Sequence, residues 1–431
     1  MSPALDHPEA LRARFAALTA FLKATYSVWH PRAFVERPVA WEADFPQISA
    51  HLDALDLTAF ETSPAPSNEG AAAPPALEGR RWLVDAPAPL GAWAAEAETL
   101  GTLGLDGPHP AAARDFGTLG VPGRKLSQIE HFLAPVLARW PQPTRVADWC
   151  AGKGHLGRAL CHHTGAALLA FEWQAALCAA GEAGCRRAGV AAEFVCGDVR
   201  TPEARQRLQA SDLVVALHAC GGLHTALLRA TVAQRVAGLA LAPCCYNQPA
   251  PDRGQPLSQA GVAAGLTLDE NDLDLLHRQP VTAGAGRMRR SQQAQVWRLA
   301  LDALLRSITG VDHYRPMPPF SSTWLALPFR EFCQRLAAEA GLVVPDTVDA
   351  EAFLPAGEAA YAETVRRDAV RGLFAAPLEA WLVLDRALFL VEAGYVVEVT
   401  TFCPRSLTPR NALLRAWAPG GAMPALDQDH P

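Results

Sequence analysis

The sequence predicts an α/β protein built on a mostly parallel sheet, and three patterns carry that prediction. Between about 121 and 247, short apolar segments alternate with amphipathic ones, as in consecutive β-α-β units. A glycine-rich turn follows the first apolar segment, within VADWCAGKGHLG at 146–157. Two further apolar segments, at 394–402 and 411–417, predict an antiparallel pair of strands at one edge of the sheet.

Each element of the sheet has its own local signal. Apolar runs too short for helices predict strands, and segments with helical spacing of apolar residues predict the connections between them. A glycine follows the helix at 155–165, which is a common helix stop. The predicted strands lie at 145–150, 167–173, 192–198, 212–219 and 236–245. The predicted helices lie at 125–140, 155–165, 175–189, 201–210, 223–235 and 377–393.

The remainder of the chain is less regular. Apolar residues at helical spacing predict helices at 9–28 and 45–60, and again at 291–308. The segment 63–79 is rich in Pro, Ala, Ser and Gly, which is typical of a linker or an exposed loop. The predicted organisation is a mostly helical N-terminal region at 1–62, a linker and irregular segment at 63–120, and one domain at 121–431 with an insertion at 248–375.

Composition excludes some classes of protein. The chain has 431 residues, half of them hydrophobic, and a net charge of −6, so it is not a strongly basic nucleic-acid binder. No apolar run reaches membrane-spanning length, and the first thirty residues lack a signal-peptide core. Ten cysteines without a C-x-x-C pair argue against a zinc ribbon, so we expect reduced thiols, no metal and a cytoplasmic protein.

The glycine turn carries a GxGxxG motif, which alone is weak evidence for a dinucleotide. Ligands of open α/β sheets lie outside the carboxyl ends of the strands, so a ligand is expected here. Glu172 lies twenty positions after Gly152 and fits the ribose of any adenosine ligand. Asp198 fits the adenine amino group, although an N-cap of the following turn is its simpler interpretation.

Asp148 bears on the choice between ligands. A dinucleotide places two phosphate charges at such a turn, on the helix N-terminus. A nearby carboxylate repels them by several kcal/mol at ~4 Å and low effective dielectric. S-adenosylmethionine carries a sulfonium and an ammonium instead, and a carboxylate favours that cation. Acids at three consecutive strand ends therefore favour a cationic nucleoside ligand.

The blocks DWCAGKGHLGRAL, LHACGGLHTALL, APCCYN and TPRNALL resemble class I S-adenosylmethionine-dependent methyltransferases. More narrowly, they resemble a methyltransferase domain related to tRNA ribose methyltransferases. The resemblance covers roughly 121–247 and 377–417 and implies a Rossmann-like seven-stranded sheet, with 248–375 inserted after strand five. One departure is Cys150, where most such enzymes have glycine. The resemblance implies cofactor contacts from Asp148, Cys150, Gly152, Gly154, Glu172, Trp173, Asp198, Val199 and His218.

Residues at the ends of strands four and five are the candidates for catalysis. His218 is the leading base because imidazole titrates near neutrality. Tyr246 and Asn247 are expected to form a platform or a hydrogen-bonding edge for the methyl acceptor. Cys220, Cys244 and Cys245 lie in the same blocks. Metal ligation and a nucleophilic relay are their functional interpretations, whereas buried cysteines usually behave as small hydrophobes.

The methyl acceptor is expected to be RNA, through Arg287, Arg289 and Arg290 in the cluster RMRR. Arg405 and Arg410 are expected to add to this surface, and Lys125 is a weaker candidate for a cofactor or substrate contact. A small-molecule or protein acceptor stays open. Two alternatives also remain: an NAD(P)-dependent oxidoreductase using the same turn, and a non-catalytic binding module with this fold.

Overall fold

Seven strands form one sheet in the computed structural model of the chain, which describes residues 5–60, 80–104, 121, 123–276 and 285–419. The strands are β1 (Arg145–Trp149), β2 (Ala167–Glu172), β3 (Ala192–Cys196), β4 (Leu213–Cys220), β5 (Gly238–Cys244), β6 (Val396–Thr401) and β7 (Ala412–Trp417). Their order across the sheet is β3-β2-β1-β4-β5-β7-β6.

The topology confirms the predicted fold class. Strands β1 to β5 are parallel where they pair, whereas β7 runs antiparallel to both β5 and β6. The edge pair of strands expected from the sequence is therefore present. Strands β1, β4 and β5 are neighbours, so their carboxyl ends meet at one place.

Helices account for most of the remaining described residues. They are α1 (Pro8–Ala24), α2 (Tyr26–Trp29), α3 (Trp41–Asp44), α4 (Pro46–Asp53), α5 (Leu90–Gly101), α6 (Gly123–Arg139), α7 (His155–Thr164), α8 (Ala175–Arg187), α9 (Pro202–Gln206), α10 (Gly222–Ala233), α11 (Gln259–Ala264), α12 (Glu270–Leu275), α13 (Ala285–Thr309), α14 (Phe329–Glu339), α15 (Leu354–Gly372) and α16 (Ala375–Glu392). Short 3₁₀ turns lie at Leu57–Phe60, Arg81–Leu83, Arg207–Ala210, Ser322–Ala326 and Glu351–Phe353.

The sheet is buried on both faces, which explains why its central strands are apolar throughout. Every residue of β5 is buried, and so is β1 after Arg145. Phe132 and Val136 of α6 pack with Val146 of β1 in one continuous core. Helix α16 is buried along most of its length, and Trp381 is fully enclosed. This packing fixes the strand ends that carry the candidate site.

Several elements differ from the sequence expectation. Helix α5 lies within the segment 63–120 that the sequence left irregular. The insertion 248–375 contains the five helices α11 to α15, of which α13 alone was predicted, at 291–308. Strand β3 ends at Cys196, so Asp198 lies in the loop after the strand. The predicted linker at 63–79 lies outside the described residues.

The chain divides into two compact units. Unit 1 comprises Met1–Lys23, Thr99–His277 and Ala375–Pro431, and it contains the whole sheet. Unit 2 comprises Ala24–Glu98 and Arg278–Phe374. Unit 2 thus joins part of the predicted N-terminal region to most of the predicted insertion, and the domain boundaries drawn from the sequence stay a prediction.

Unit 2 has its own core. Leu301 and Leu304 of α13 pack with Phe332 and Leu336 of α14. Arg367 of α15 is buried and is paired with Glu42 and Asp53.

Within the described ranges, none of the helices combines the length and the apolar character needed to cross a bilayer.

Candidate active site at the carboxyl edge of the sheet

Backbone strain marks the carboxyl edge of three neighbouring strands. Only five non-glycine residues in the described part of the chain have a positive φ, and three of them lie here. Cys150 follows β1 (φ 61°), His218 lies near the end of β4 (φ 70°), and Cys245 follows β5 (φ 50°). A β-bulge in the β4–β5 pairing coincides with His218. Such strain tends to collect at functional sites because the surrounding structure must maintain it.

The glycine turn has left-handed backbone at three alternate positions: Cys150, Gly152 (φ 60°) and Gly154 (φ 64°). A side chain at Gly154 would lie 2.9 Å from the ring of Phe194, so glycine is needed there. A side chain at Gly152 would meet no atom of the described chain within 4 Å. The surface of the turn at Gly152 is therefore open, while Cys150 occupies a conformation that glycine adopts more readily.

Two buried carboxylates hold the N–H groups of this turn. Asp148 Oδ2 accepts a hydrogen bond from the Gly157 N–H at 2.9 Å, and Glu172 Oε2 accepts one from the Gly152 N–H at 2.9 Å. Both side chains are less than a tenth exposed. Burial raises the pKa of Asp148 to about 7, against the opposing effect of the Gly157 hydrogen bond. The Asp148 carboxylate thus faces the first turn of α7, beneath the glycines.

The adenine and ribose candidates differ in their exposure. Trp173 follows β2 directly and is 72% exposed, so its indole is available to a flat ligand. Glu172 uses its second oxygen to accept the Gln174 N–H at 2.9 Å. Asp198 is exposed and ion-paired with Arg200 at 2.7 Å, and this guanidinium holds the pKa of Asp198 below its usual value.

Asp198 therefore makes a local interaction, of the kind expected if it caps the turn that follows. Its Oδ1 also accepts the backbone N–H of Arg200 at 2.9 Å, which closes a turn within the loop. The neighbouring Val199 is buried. A role for Asp198 toward adenine requires the exposed pair with Arg200 to open.

A hydrogen-bond chain orients His218. The side-chain amide of Gln128, on α6, donates from Nε2 to the Leu407 carbonyl at 3.4 Å, which leaves Oε1 directed at His218 Nε2 at 3.0 Å. The proton of a neutral imidazole then sits on Nε2, and Nδ1 carries the lone pair. Burial lowers the pKa of His218, and the charge of Lys125 lowers it further. The imidazole of His218 is therefore neutral at physiological pH.

The structure does not bring Tyr246 to an open surface. It is 4% exposed, its ring packs edge-on against His224 with centroids 5.5 Å apart, and burial raises its pKa well above the usual value. Its hydroxyl has no hydrogen-bond partner among the described residues. The Asn247 side chain donates to Asp274 Oδ1 at 2.8 Å, so it binds helix α12. Neither residue forms the expected platform in this conformation, because both side chains turn into the protein.

Three thiols converge beside His218. Cys220 and Cys244 are register partners at the ends of β4 and β5, with their sulfur atoms 3.6 Å apart. The Cys245 sulfur lies within 4.8 Å of both. The sequence placed these cysteines at the ends of neighbouring strands, and the pairing of β4 with β5 sets the distances between their sulfur atoms.

The arginines expected to contact RNA belong to different units and differ in their exposure. Arg287, Arg289 and Arg290 are exposed on the first turns of α13, in unit 2. Arg410, in unit 1, is buried and contacts Glu379 at 3.5 Å and also the Leu276 carbonyl. Arg410 is thus a structural residue, since its charge is already used inside the protein, and the expectation that it adds to an RNA surface is wrong.

Comparison with known proteins bears directly on the region around the glycine turn. Residues 124–251, from α6 through the end of β5, match the family described as "Methyltransferase domain". The chain contains a methyltransferase domain. This match confirms the resemblance to class I methyltransferases and identifies the protein as an enzyme of the methyltransferase type. The narrower relation to tRNA ribose methyltransferases stays a prediction.

Two solved structures are similar over about half of this chain. One is an uncharacterized protein from Listeria monocytogenes serotype 4b, with 14% identity, a TM-score of 0.24, and coverage of 50% of this chain and 97% of that one. The other is a putative O-methyltransferase from Nostoc punctiforme, with 20% identity, a TM-score of 0.21, and coverage of 53% of this chain and 62% of that one. Both similarities are too distant to carry an argument. The assignment as a methyltransferase therefore rests on the family match and on the strand order.

Proposed function

We propose that the methyltransferase domain transfers the methyl group of S-adenosylmethionine, and that the two carboxylates beneath the glycine turn select this cofactor. The supporting observation is that Asp148 and Glu172 already accept the N–H groups of Gly157 and Gly152. In a dinucleotide site, such N–H groups bind the pyrophosphate. Here a pyrophosphate would instead meet two acids, with a repulsion of about 4 kcal/mol for each charge pair at ~4 Å and intermediate dielectric.

The chain's residues fit an adenosine ligand with a cationic tail. The open surface at Gly152 leaves room for the ligand to approach the backbone. The exposed indole of Trp173 offers a face to adenine, and the Glu172 carboxylate retains lone pairs for the ribose hydroxyls. We assign the border of the base to Asp198 and Val199, and the lining near the methionine part to Asp148, Cys150 and Gly154. The bound cofactor supplies an activated methyl group.

We assign the role of general base to His218. Its Nε2 is held by Gln128, so Nδ1 is the atom that takes the proton of the acceptor. A lowered pKa keeps this nitrogen unprotonated at neutral pH. Positioned bases of this kind contribute about 10²–10⁴ in rate when the acceptor must lose a proton. Tyr246 and Asn247 contribute only if the acceptor changes their present packing.

RNA is the acceptor that we propose, and the support is electrostatic. Arg287, Arg289 and Arg290 lie at the N-terminus of α13, whose first turn has no acidic residue. Cations at this end of a helix are disfavoured by about 0.3–1 kcal/mol each, and a bound phosphate would reverse that effect. All ten cysteines are free thiols, the state that a reducing compartment maintains, so we place the reaction in the cytoplasm.

Ligand binding tests the cofactor first. S-adenosylhomocysteine at about 100 times its dissociation constant should stabilise the protein by ~2.7 kcal/mol, whereas NAD at the same concentration should leave the melting temperature unchanged. Stabilisation by NAD alone would establish the oxidoreductase alternative and end the proposal.

Methyl transfer is tested separately. The protein is incubated with S-adenosylmethionine carrying a labelled methyl group and with total RNA, protein or metabolite pools. Label in RNA supports the proposed acceptor, and label in another pool replaces it. Cofactor binding without label in any pool would indicate a non-catalytic module.

A further inference from the structure

The thiols of Cys220, Cys244 and Cys245 form a compact cluster that the proposed methyl transfer does not use. Parallel pairing of β4 with β5 sets Cys220 beside Cys244, and the left-handed backbone of Cys245 follows at once. All three sulfur atoms lie within 4.8 Å of one another, and the shortest separation is 3.6 Å. Across the described ranges, no other group of three cysteines meets this condition.

These separations match those of metal-bound thiolates. With Zn–S bonds of about 2.3 Å, a tetrahedral centre places its sulfur ligands roughly 3.8 Å apart. The cluster therefore needs only small side-chain rotations to enclose an ion. Thiolate donors favour soft metals such as Zn²⁺ over Mg²⁺ or Ca²⁺.

Backbone strain gives a second reason to assign a function to the cluster. Left-handed backbone at Cys245 and the β-bulge at His218 bracket the three cysteines. Strained backbone persists where the surrounding structure maintains it, and it collects at functional sites. Here it lies beside three sulfur atoms that are within 4.8 Å of one another.

We propose that Cys220, Cys244 and Cys245 bind one Zn²⁺ ion as thiolates. Each thiol releases one proton to solvent on binding, so the three-thiolate centre carries a net charge of −1. Cys220 and Cys245 are half-buried, and the cluster therefore reaches the carboxyl edge of the sheet. Zinc sites with three protein ligands keep their fourth position for water or substrate. This inference concerns a metal site and does not depend on the identity of the cofactor.

Metal content tests the proposal on the full chain. The purified protein is stripped with a chelator, reloaded with Zn²⁺ under reducing conditions, desalted and measured by elemental analysis. About one zinc per chain is expected, since the donor set is complete for one ion. Co²⁺ in place of Zn²⁺ should give an intense thiolate-to-metal charge-transfer band in the near ultraviolet.

Serine variants locate the ligands. Cys220→Ser and Cys245→Ser should each lose most of the zinc and most of the charge-transfer band. Cys196→Ser, an exposed thiol, and Cys333→Ser, a buried thiol of unit 2, are the matched controls and should keep both. Circular dichroism checks that each variant is folded.

Alkylation of the unmutated protein gives an independent measurement. Zn²⁺ should slow the reaction of iodoacetamide with Cys220 and Cys245 at least about tenfold, because a coordinated thiolate is not free to attack. The rate at Cys196 should not change. Zinc content no higher than in a variant with all three cysteines replaced, or equal alkylation rates with and without Zn²⁺, would overturn the proposal. Binding of Cu⁺ in place of Zn²⁺ would overturn the assignment of the metal.

Discussion

Replacing Asp148 by asparagine should raise the stability of the domain at about pH 8 and weaken its binding of S-adenosylmethionine. The pKa of Asp148 rises from 3.8 to about 7 in the folded protein because the carboxyl is buried. The folded protein therefore favours the protonated form of Asp148. The protonated carboxyl makes its full contribution to stability below about pH 4, and this contribution is lost as the pH rises to about 7. A difference of roughly three pH units corresponds to about 4 kcal/mol.

Asparagine imitates the neutral acid. Its side-chain oxygen can still accept the Gly157 N–H, whereas alanine would leave that donor unpaired at a cost of about 1–3 kcal/mol. Asp148→Asn should therefore be more stable than the unmutated protein at about pH 8, by up to about 4 kcal/mol, and the difference should vanish near pH 4. Urea unfolding at both pH values, followed by fluorescence, measures this difference.

The same substitution should weaken binding of S-adenosylmethionine. Calorimetry should show unmutated protein gaining about tenfold in affinity between pH 6 and pH 8, as Asp148 ionises, while the variant shows no such gain. Asp212→Asn is the control, since Asp212 lies at the opposite ends of the strands. Asp212 is exposed, and its partial desolvation is outweighed by hydrogen bonds from Thr144 and from the Arg145 N–H, which hold its pKa below the usual value, so this variant should lose stability at pH 8. An Asp148→Asn protein with unchanged stability and unchanged affinity would refute the electrostatic reasoning.

Three further experiments test other residues to which we have assigned a role. His218→Asn should lower kcat by about 10²–10⁴. The fall in kcat that the unmutated enzyme shows below pH 6.5 should also disappear, because burial lowers the pKa of His218. A kcat–pH profile equal to that of the unmutated enzyme would exclude this base. Trp173→Ala should weaken cofactor binding, measured by calorimetry, by about 0.5–1.5 kcal/mol. The melting temperature should not change, since the indole is exposed. Equal affinity would show that Trp173 does not contact adenine. Replacing Arg287, Arg289 and Arg290 together by glutamine should affect the binding of single-stranded RNA. The slope of the logarithm of the binding constant against the logarithm of the salt concentration should become smaller in magnitude by up to about 2. An unchanged slope would show that these residues do not contact phosphate.

The sheet was predictable because each strand carries its own local signal. Apolar runs between amphipathic helices fix which segments become parallel strands, and glycine turns fix where a helix begins, so β1 to β7 lie close to their predicted positions. The segment around α5 gave no such signal, because its alanine-rich composition resembles that of the adjacent linker. Within the insertion, the helix at 291–308 was predicted and corresponds to α13, whereas α11, α12, α14 and α15 were not predicted.

The candidate site was predictable in position and less so in its contacts. Asp148, Glu172 and His218 were found because parallel strands bring their carboxyl ends to one edge. Gln128 was missed, since its relation to His218 arises from the packing of α6 and has no motif. Tyr246 and Arg410 make contacts that the sequence does not reveal, because both side chains pack inside the protein, whereas Asp198 makes a local contact of the kind that its N-cap interpretation predicts.

By itself, the sequence determined the class of sheet, the place of the glycine turn and the acidic character of the strand ends, because these follow from residues that are neighbours along the chain. Only the tertiary structure decided which side chains stay available. Pairing of β4 with β5 brought Cys220 beside the consecutive cysteines Cys244 and Cys245. Burial set the protonation of Asp148, and Tyr246 is enclosed. Those properties depend on distances between remote residues and on exclusion of water, and both exist only once the chain has folded.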